Sequence, residues 1–211
     1  MNNKTDPQQV VLVVDDDESM RVALTYLFRS MKLAVKVFSS ASQLLDSKLP
    51  DVASCLVLDI RLPGVSGLEF QDALAKAGNH IPIIFMTGHG DIPMTVRAMK
   101  AGAIDFLPKP FRDQDMLDAV TRALAQDGTR RAGLQAASAL RQRHQALTPR
   151  QSELFSFVTS GLMNKQIAAR LDVSEITVKI HRGHMMKKME ARSVADLVRM
   201  AGELGIDKTN P

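Results

Sequence analysis

Polar side chains that suit metal and phosphoryl chemistry stand at the ends of four apolar runs in the first 125 residues. They are Asp15, Asp16, Asp59, Thr87 and Lys109. If the runs are parallel strands of one sheet, these groups share an edge where the carboxylates repel one another. A small hard cation with oxygen ligands relieves that repulsion, which favours Mg²⁺. The residues therefore predict an acidic pocket that binds Mg²⁺.

A carboxylate in such a pocket can attack a phosphoryl group and become an aspartyl phosphate. Asp59 is the natural acceptor because it closes an apolar run and precedes the turn-like segment Ile60–Gly64. The metal and Lys109 would neutralise charge on the transferred oxygens, and the Thr87 hydroxyl would donate to one of them. Each residue alone has an ordinary alternative role, and we interpret the nearby His89 as a solvated loop residue. Taken together, the residues predict phosphoryl transfer.

The pocket requires strands that run in parallel. Apolar runs typical of strands alternate with amphipathic stretches typical of helices. The predicted strands are Val10–Val14, Ala34–Phe38, Cys55–Asp59, Ile83–Thr87 and Asp105–Pro108. The predicted helices are Ser19–Met31, Ala41–Asp46, Gly67–Ala77, Pro93–Lys100 and Asp113–Ala125. Strands that are apolar on both faces and alternate with helices indicate an α/β fold, with helices on both sides of a parallel sheet.

The charge is distributed unevenly along the 211 residues. Residues 1–124 hold 13 Lys and Arg against 15 Asp and Glu, whereas residues 125–211 hold 14 against 8. A basic C-terminal part suits a polyanionic partner, although a solvated basic face has the same balance. We expect one domain at 1–125 and another at 147–211. The linker at 126–146 carries a thin leucine stripe that indicates some helix.

We expect neither a membrane span nor a secretory signal in this sequence. Its apolar runs are too short to cross a bilayer, and residues 1–9 lack the apolar core of a signal peptide. The single cysteine, Cys55, lies in an apolar run and cannot form an internal disulfide. These features predict a cytoplasmic protein with no membrane partner.

A second helical module begins near Thr148, where the sequence Thr-Pro-Arg-Gln fits a capping box with proline at the first helical position. Breaks near Gly161, Asp172 and Ala191 predict four short helices, hence a small all-α domain. Asn164 and Ser174 are predicted to cap two successive helices with helix-turn-helix spacing. The second of these helices is predicted at Ser174–Met189.

The predicted second helix has two distinct faces when its residues are placed at 100° steps. The inward stripe consists of Val178, His181, Met185 and Met189, and the opposite face of Ile176, Lys179, Ile180, Gly183 and Lys187. Isoleucines flanked by lysines suit a major groove, where apolar groups contact thymine methyls and cations meet phosphates or guanine. A solvated surface or a dimer contact remains the alternative. Gly183 costs a helix about 1 kcal/mol relative to Ala, yet it lets the helix approach DNA closely.

Residues 8–125 resemble the receiver domain of a two-component response regulator of the FixJ type. The motifs that carry this resemblance are VVDDDESMR, LDIRLPGVSGLEF and IIFMTGHGDIPMTVRAMKAGAIDFLPKPF. The resemblance implies a flavodoxin-like five-stranded parallel sheet of order 2-1-3-4-5. It also implies that a sensor histidine kinase phosphorylates Asp59.

The same resemblance implies roles for residues around Asp59. The implied Mg²⁺ ligands are Asp16, Asp59 and the main-chain carbonyl of Arg61 directly, and Asp15 through water. Thr87 and Lys109 take the catalytic and switch roles argued above, and Phe106 matches the switch aromatic. Because Phe replaces the commoner Tyr, switching is expected to depend on packing. The Lys109–Pro110 peptide bond is expected to be cis.

Residues 147–201 resemble the LuxR/FixJ/NarL-type DNA-binding domain. The resemblance is carried by LTPRQSELFSFVTSGLMNKQIAARLDVSEITVKIHRGHMMKKMEARSVADLVRMA. It implies that the helix holding Lys179 enters the major groove, while Arg182 and Lys187 or Lys188 reach the DNA backbone. Some relatives carry a basic residue where this chain has Gly183. The expected DNA-binding residues are Lys179, Ile180, Arg182, Gly183, Lys187 and Lys188.

The resemblances identify the chain as a member of the FixJ/NarL family, in a subgroup similar to FixJ and StyR. We expect a phosphorylation-dependent DNA-binding transcriptional regulator that dimerises when phosphorylated. The expected dimer face contains Val96, Ala98–Ala101 and the fifth strand. Apart from Mg²⁺-dependent phosphorylation and dephosphorylation of Asp59 itself, we expect no enzyme activity.

Two other functions are also compatible with the sequence. One is a phosphotransfer or phosphatase-type enzyme that uses an aspartyl phosphate, although Ile60 and Arg61 supply no second carboxylate after Asp59. The other is a receiver whose output binds a protein or RNA instead of duplex DNA.

Overall fold

The structure is a computed structural model that describes residues 9–88 and 92–206. The chain folds as two compact units divided between Arg131 and Ala132. The first unit alternates strands and helices. Its elements are β1 (Val10–Val14), α1 (Glu18–Ser30), β2 (Ala34–Phe38), α2 (Ala41–Leu45), β3 (Ser54–Asp59), α3 (Gly67–Lys76), β4 (Ile83–Thr87), α4 (Ile92–Lys100), β5 (Asp105–Pro108) and the first part of α5 (Asp113–Gln145).

The five strands form one parallel sheet in the order β2-β1-β3-β4-β5, which confirms the predicted architecture. All residues of β1, β3 and β4 are buried, as expected for strands covered on both faces. Successive side chains point to opposite faces, so Leu12 joins one apolar core and Val13 the other. Phe70 of α3 and Phe28 of α1 fill these two cores from opposite sides.

Helix α5 continues to Gln145, past the predicted helix end at Ala125 and through nearly all of the expected linker. Its glycines at 128 and 133 each cost about 1 kcal/mol relative to Ala, but most of their neighbours are good helix formers. Asp127 is fully buried. Its carboxylate accepts hydrogen bonds from the Ser54 N–H at 2.9 Å and the Arg131 Nε at 2.7 Å. This contact holds α5 against the start of β3. It lies just beyond Ala125, where the sequence pattern predicted the end of the helix.

The charge on Asp127 is stabilised by its partners. Burial disfavours the ionised carboxylate, but the bonds from Arg131, the Ser54 N–H and Arg130 outweigh burial and hold its pKa below the usual value. Arg130 lies 2.6 Å from the carboxylate, and Arg131 also reaches Asp51 at 3.2 Å. The ionised Asp127 carboxylate therefore fixes this part of α5 to the rest of the first unit.

The second unit is all-helical, as predicted. It contains the end of α5, α6 (Pro149–Thr159), α7 (Asn164–Leu171), α8 (Glu175–Met189) and α9 (Val194–Glu203). Its core includes Leu140, Phe155, Ile167, Met185 and Leu197. Within residues 9–88 and 92–206, none of the helices combines the length and apolar character that crossing a membrane requires.

The helix starts of the second unit follow the predicted caps with one exception. Thr148 and Gln151 form the expected capping box, and the Ser174 hydroxyl accepts from the Thr177 N–H at 3.1 Å. The predicted cap at Asn164 is wrong, because Met163 occupies the N-cap position and Asn164 is the first helical residue. The Asn164 side chain is instead turned toward α8, where Arg182 donates to it at 2.8 Å.

Candidate functional site

Strand register brings the predicted pocket residues to one edge of the sheet. Val14 pairs with Leu58, so Asp15 and Asp59 follow at the carboxyl ends of neighbouring strands. Thr87 pairs with Pro108, which places Lys109 one residue further along. Parallel pairing therefore collects side chains that lie far apart in the sequence.

Three carboxylates meet at this edge. Asp15, Asp16 and Asp59 each present an oxygen within 4.8 Å of the others. Asp15 is fully buried and Asp59 nearly so, whereas Asp16 is exposed. Main-chain N–H groups hold the two buried carboxylates: that of Asp17 donates to Asp15 at 2.9 Å, and that of Arg61 to Asp59 at 2.8 Å. The cluster has the hard oxygen donors and partial exposure that suit a small divalent cation.

The ammonium of Lys109 bridges the two buried carboxylates. Its Nζ lies 2.7 Å from Asp15 Oδ2 and 2.5 Å from Asp59 Oδ2. Burial raises the pKa of Asp15, and the lysine offsets only part of that effect. Burial acts to lower the pKa of Lys109, but its bonds to both aspartates outweigh burial and raise it. The lysine is therefore a fixed positive charge against Asp59.

Arg21, for which the sequence predicted no role, belongs to the same site. Its guanidinium donates to the main-chain carbonyl of Asp15 at 2.6 Å and so holds the turn between β1 and α1. Asp17 caps α1 by accepting from the Ser19 N–H at 2.8 Å, so Arg21 lies one helical turn beyond the cap. The sequence did offer a signal for this role, because Arg21 lies in the first turns of the helix that directly follows the acidic run.

Thr87, Phe106 and Arg61 surround the carboxylates in different ways. Thr87 is fully buried at the end of β4, and its carbonyl accepts from the Lys109 N–H at 2.6 Å. Phe106 is half-buried, with its ring 6.3 Å from that of Phe85. Arg61 has an exposed side chain, and its N–H is committed to Asp59. His89 lies outside the described residues.

The cis peptide bond expected between Lys109 and Pro110 is confirmed. On α4, Val96, which belongs to the expected dimer face, is 43% exposed. Ala98, which was included in that face, is fully buried against the first core and cannot contribute. The exposed apolar side chains of α4 are those of Ile92, Val96 and Met99.

The two faces of α8 agree with the predicted division. Val178, Met185 and Met189 are buried in the core of the second unit, and His181 is half-buried beside them. The opposite face is exposed, and it comprises Ile176, Lys179, Ile180, Gly183 and Lys187. The two isoleucines are exposed by 73% and 53%, and their combination with lysines on one face suits a contact surface for a polyanion.

Two of the six expected DNA-binding residues have partners within the protein. Arg182 donates to the Asn164 side chain at 2.8 Å. The Lys188 ammonium donates to the Ala146 carbonyl at 3.1 Å and to Gln151 Oε1 at 3.0 Å. These contacts connect α8 to its neighbours and could not be read from the helix period alone.

Two family models match the chain, one within each of the two compact units. Residues 11–121 match the response regulator receiver domain, and residues 145–201 match the bacterial regulatory proteins of the luxR family. The first match contains the acidic pocket, and the second contains α8.

Relatives and solved structures match both parts together. Nodulation protein W of Bradyrhizobium diazoefficiens is 59% identical over 93% of this chain and 87% of its own length. The transcriptional regulatory protein FixJ of Azorhizobium caulinodans is 41% identical over 93% of each chain. A solved structure of the response regulator StyR has a TM-score of 0.85 at 47% identity, covering 93% of this chain and 99% of that one.

Proposed function

The chain belongs to the two-component response regulators, transcriptional regulators that join a receiver to a LuxR-type DNA-binding domain, and on this premise we propose that Asp59 is its phosphorylation site. We assign the receiver to residues 1–125, the DNA-binding domain to residues 147–211 and the connecting segment to residues 126–146. The observation that carries the proposal is the bridge from Lys109 to Asp15 and Asp59.

Asp59 accepts the phosphoryl group of a phosphohistidine on a sensor histidine kinase. A carboxylate oxygen of Asp59 forms the new P–O bond while the P–N bond to the imidazole breaks, and the departing nitrogen takes up a proton. Lys109 lies 2.5 Å from Asp59, so its positive charge is available to neutralise the transferred oxygens. The Thr87 hydroxyl donates to one of these oxygens. The chain therefore receives a phosphoryl group and performs no turnover beyond its own dephosphorylation.

The acidic cluster fits Mg²⁺ because it offers only hard oxygen donors around an exposed opening. Asp16, Asp59 and the main-chain carbonyl of Arg61 would hold the ion directly, and Asp15 through water. Bound there, Mg²⁺ supplies charge neutralisation for the transferring phosphoryl group. Arg21 keeps the Asp15 main chain in place through its 2.6 Å bond.

Phosphorylation acts by changing the relative stability of two receiver states. New charge on Asp59 attracts the Thr87 hydroxyl and biases the segment after β4 and the half-buried ring of Phe106. The affected surface is the exposed part of α4 around Val96 and Met99, together with β5. We assign phosphorylation-dependent homodimerisation to this surface.

The DNA contacts are assigned to the exposed face of α8. Ile180 and Lys179 face the bases, Gly183 permits close approach, and Lys187 and Arg182 reach the phosphates. Lys188 reaches a phosphate only if it gives up its internal partners. Because its target is duplex DNA, the protein is assigned to the cytoplasm.

Incubation of the full-length chain with acetyl phosphate and Mg²⁺ tests the receiver assignment. The wild type should gain one phosphoryl group by intact mass, whereas Asp59→Asn should gain none, and chelation of Mg²⁺ should abolish labelling. Equal labelling of both proteins would remove Asp59 from the scheme. Sustained hydrolysis of an added phosphoester would favour a phosphatase instead.

Selection of duplexes from a random pool, with and without phosphorylation, tests the output. Sequence-selective binding that weakens as salt rises is expected, and it should strengthen on phosphorylation. Failure to enrich any duplex in either state would favour an output that binds protein or RNA.

A further inference from the structure

The ammonium of Lys188 on α8 contacts the ends of two other helices, α5 and α6. Lys188 lies in the last turn of α8. Its Nζ is 3.1 Å from the carbonyl oxygen of Ala146, directly after the end of α5, and 3.0 Å from Oε1 of Gln151, in the first turn of α6. One side chain of α8 thus contacts the end of one neighbour and the start of the next.

Both acceptors are held by the helix ends to which they belong. Carbonyls at a helix C-terminus lack intrahelical donors and carry partial negative charge, so a cation is favoured beside Ala146. Gln151 is buried, and its Oε1 also accepts from the Thr148 N–H at 3.1 Å as part of the capping box. The ammonium therefore binds oxygens whose positions are set by the neighbouring helix ends and not by α8 itself.

A second contact acts on the same end of α8. The Arg143 guanidinium in the last turn of α5 pairs with the carboxylate of Glu190, the residue that terminates α8 in the left-handed conformation. Lys187 and Lys188 are both exposed, but the Lys187 ammonium has no hydrogen-bond or ion-pair partner among the residues that the structure describes. Consecutive lysines on one helix are separated by about 100°, so the two ammonium groups face different surroundings.

We propose that Lys188 is a positioning residue that sets the angle of α8 against α5 and α6, while Lys187 makes the phosphate contact. This inference rests on the proposed DNA-binding face of α8, and it gives the two adjacent lysines different roles. A phosphate contact contributes to the salt dependence of DNA binding, with a slope of about 0.9 per phosphate. A positioning contact instead affects the contacts between α8 and the bases, and therefore the preference for the selected sequence. It leaves the salt dependence of binding unchanged.

The test uses the full-length chain, treated with acetyl phosphate and Mg²⁺, and two duplexes: one selected from a random pool and a shuffled version of it. Dissociation constants are measured over a salt series for Lys188→Met and for the matched variant Lys187→Met. Lys188→Met should weaken binding to the selected duplex about ten-fold, with an unchanged slope and a smaller preference over the shuffled duplex. Lys187→Met should weaken binding to both duplexes alike and reduce the slope by about 0.9.

Conservative variants separate positioning from general destabilisation. Lys188→Arg and Gln151→Glu retain a donor and an acceptor, so both should keep the wild-type preference for the selected duplex. Gln151→Met removes the acceptor of both Lys188 and the Thr148 N–H without changing the charge. With a wild-type circular dichroism spectrum it should reproduce the loss of preference, which keeps the test decisive if Lys188→Met fails to fold. A lower salt slope for Lys188→Met, or wild-type preference in Gln151→Met, would overturn the inference. Absence of selected binding by the wild type would instead overturn the proposed DNA-binding face.

Discussion

Replacing Gly183 with alanine separates the requirements of the fold from those of DNA binding. Gly183 lies inside α8, is exposed, and has open space where a Cβ would stand, with no atom within 4 Å. Its backbone is helical and therefore needs no glycine. Alanine should accordingly stabilise the second unit by about 1 kcal/mol through helix propensity. For a domain of roughly 60–100 residues, this corresponds to an increase in Tm of about 4–8 °C.

The same methyl group should weaken binding to DNA. It projects from the face that carries Ile176 and Ile180, so a groove floor in close contact with the backbone would have to move away. A misfit of about 1–3 kcal/mol lowers the affinity for the selected duplex by roughly 5- to 150-fold. Glycine at this position would then be retained for the interface at the expense of stability.

Calorimetry of the C-terminal transition and fluorescence anisotropy with a labelled duplex measure the two effects. Gly202→Ala is the matched control, because Gly202 is also helical, exposed and without neighbours for a Cβ, but lies on α9. The control should gain some stability and keep its affinity. If Gly183→Ala gains stability and binds DNA as the wild type does, close approach at this position is refuted.

Two further predictions concern the first unit. Asp127→Asn should lower the free energy of unfolding by about 2 kcal/mol near pH 7, because it removes the charge that Arg130 and Arg131 bind. Since the folded pKa of Asp127 is depressed, its contribution is present above the ordinary value of 3.8 and is lost as pH falls through the folded pKa. Urea unfolding at several pH values should therefore show a smaller difference between variant and wild type in acid, and a difference independent of pH would contradict this account. Val96→Glu should keep the phosphorylated chain monomeric in sedimentation, whereas Val22→Glu, at a similarly exposed position on α1, should still dimerise. Dimers of the Val96 variant would exclude the α4 surface.

Most of the receiver could be predicted from local sequence. β1, β2, β4 and β5 were predicted at their observed bounds and β3 within one residue, because short runs rich in β-branched or aromatic residues between turn signals are typical of strands. Apolar character on both faces of the strands indicated a parallel sheet. The end of α5 was not predictable in this way, because the buried contact of Asp127 with Ser54 joins residues far apart in sequence.

The amino-acid sequence by itself determined which groups stand at strand ends and which face of α8 is apolar, since these follow from the twofold period of a strand and the 3.6-residue period of a helix. Tertiary structure alone decided which atoms meet. Arg21 reaches the Asp15 carbonyl, and Lys188 turns to Ala146 and Gln151 while its neighbour Lys187 does not. Long side chains can rotate toward several partners, and only the packed positions of the neighbouring backbone select one.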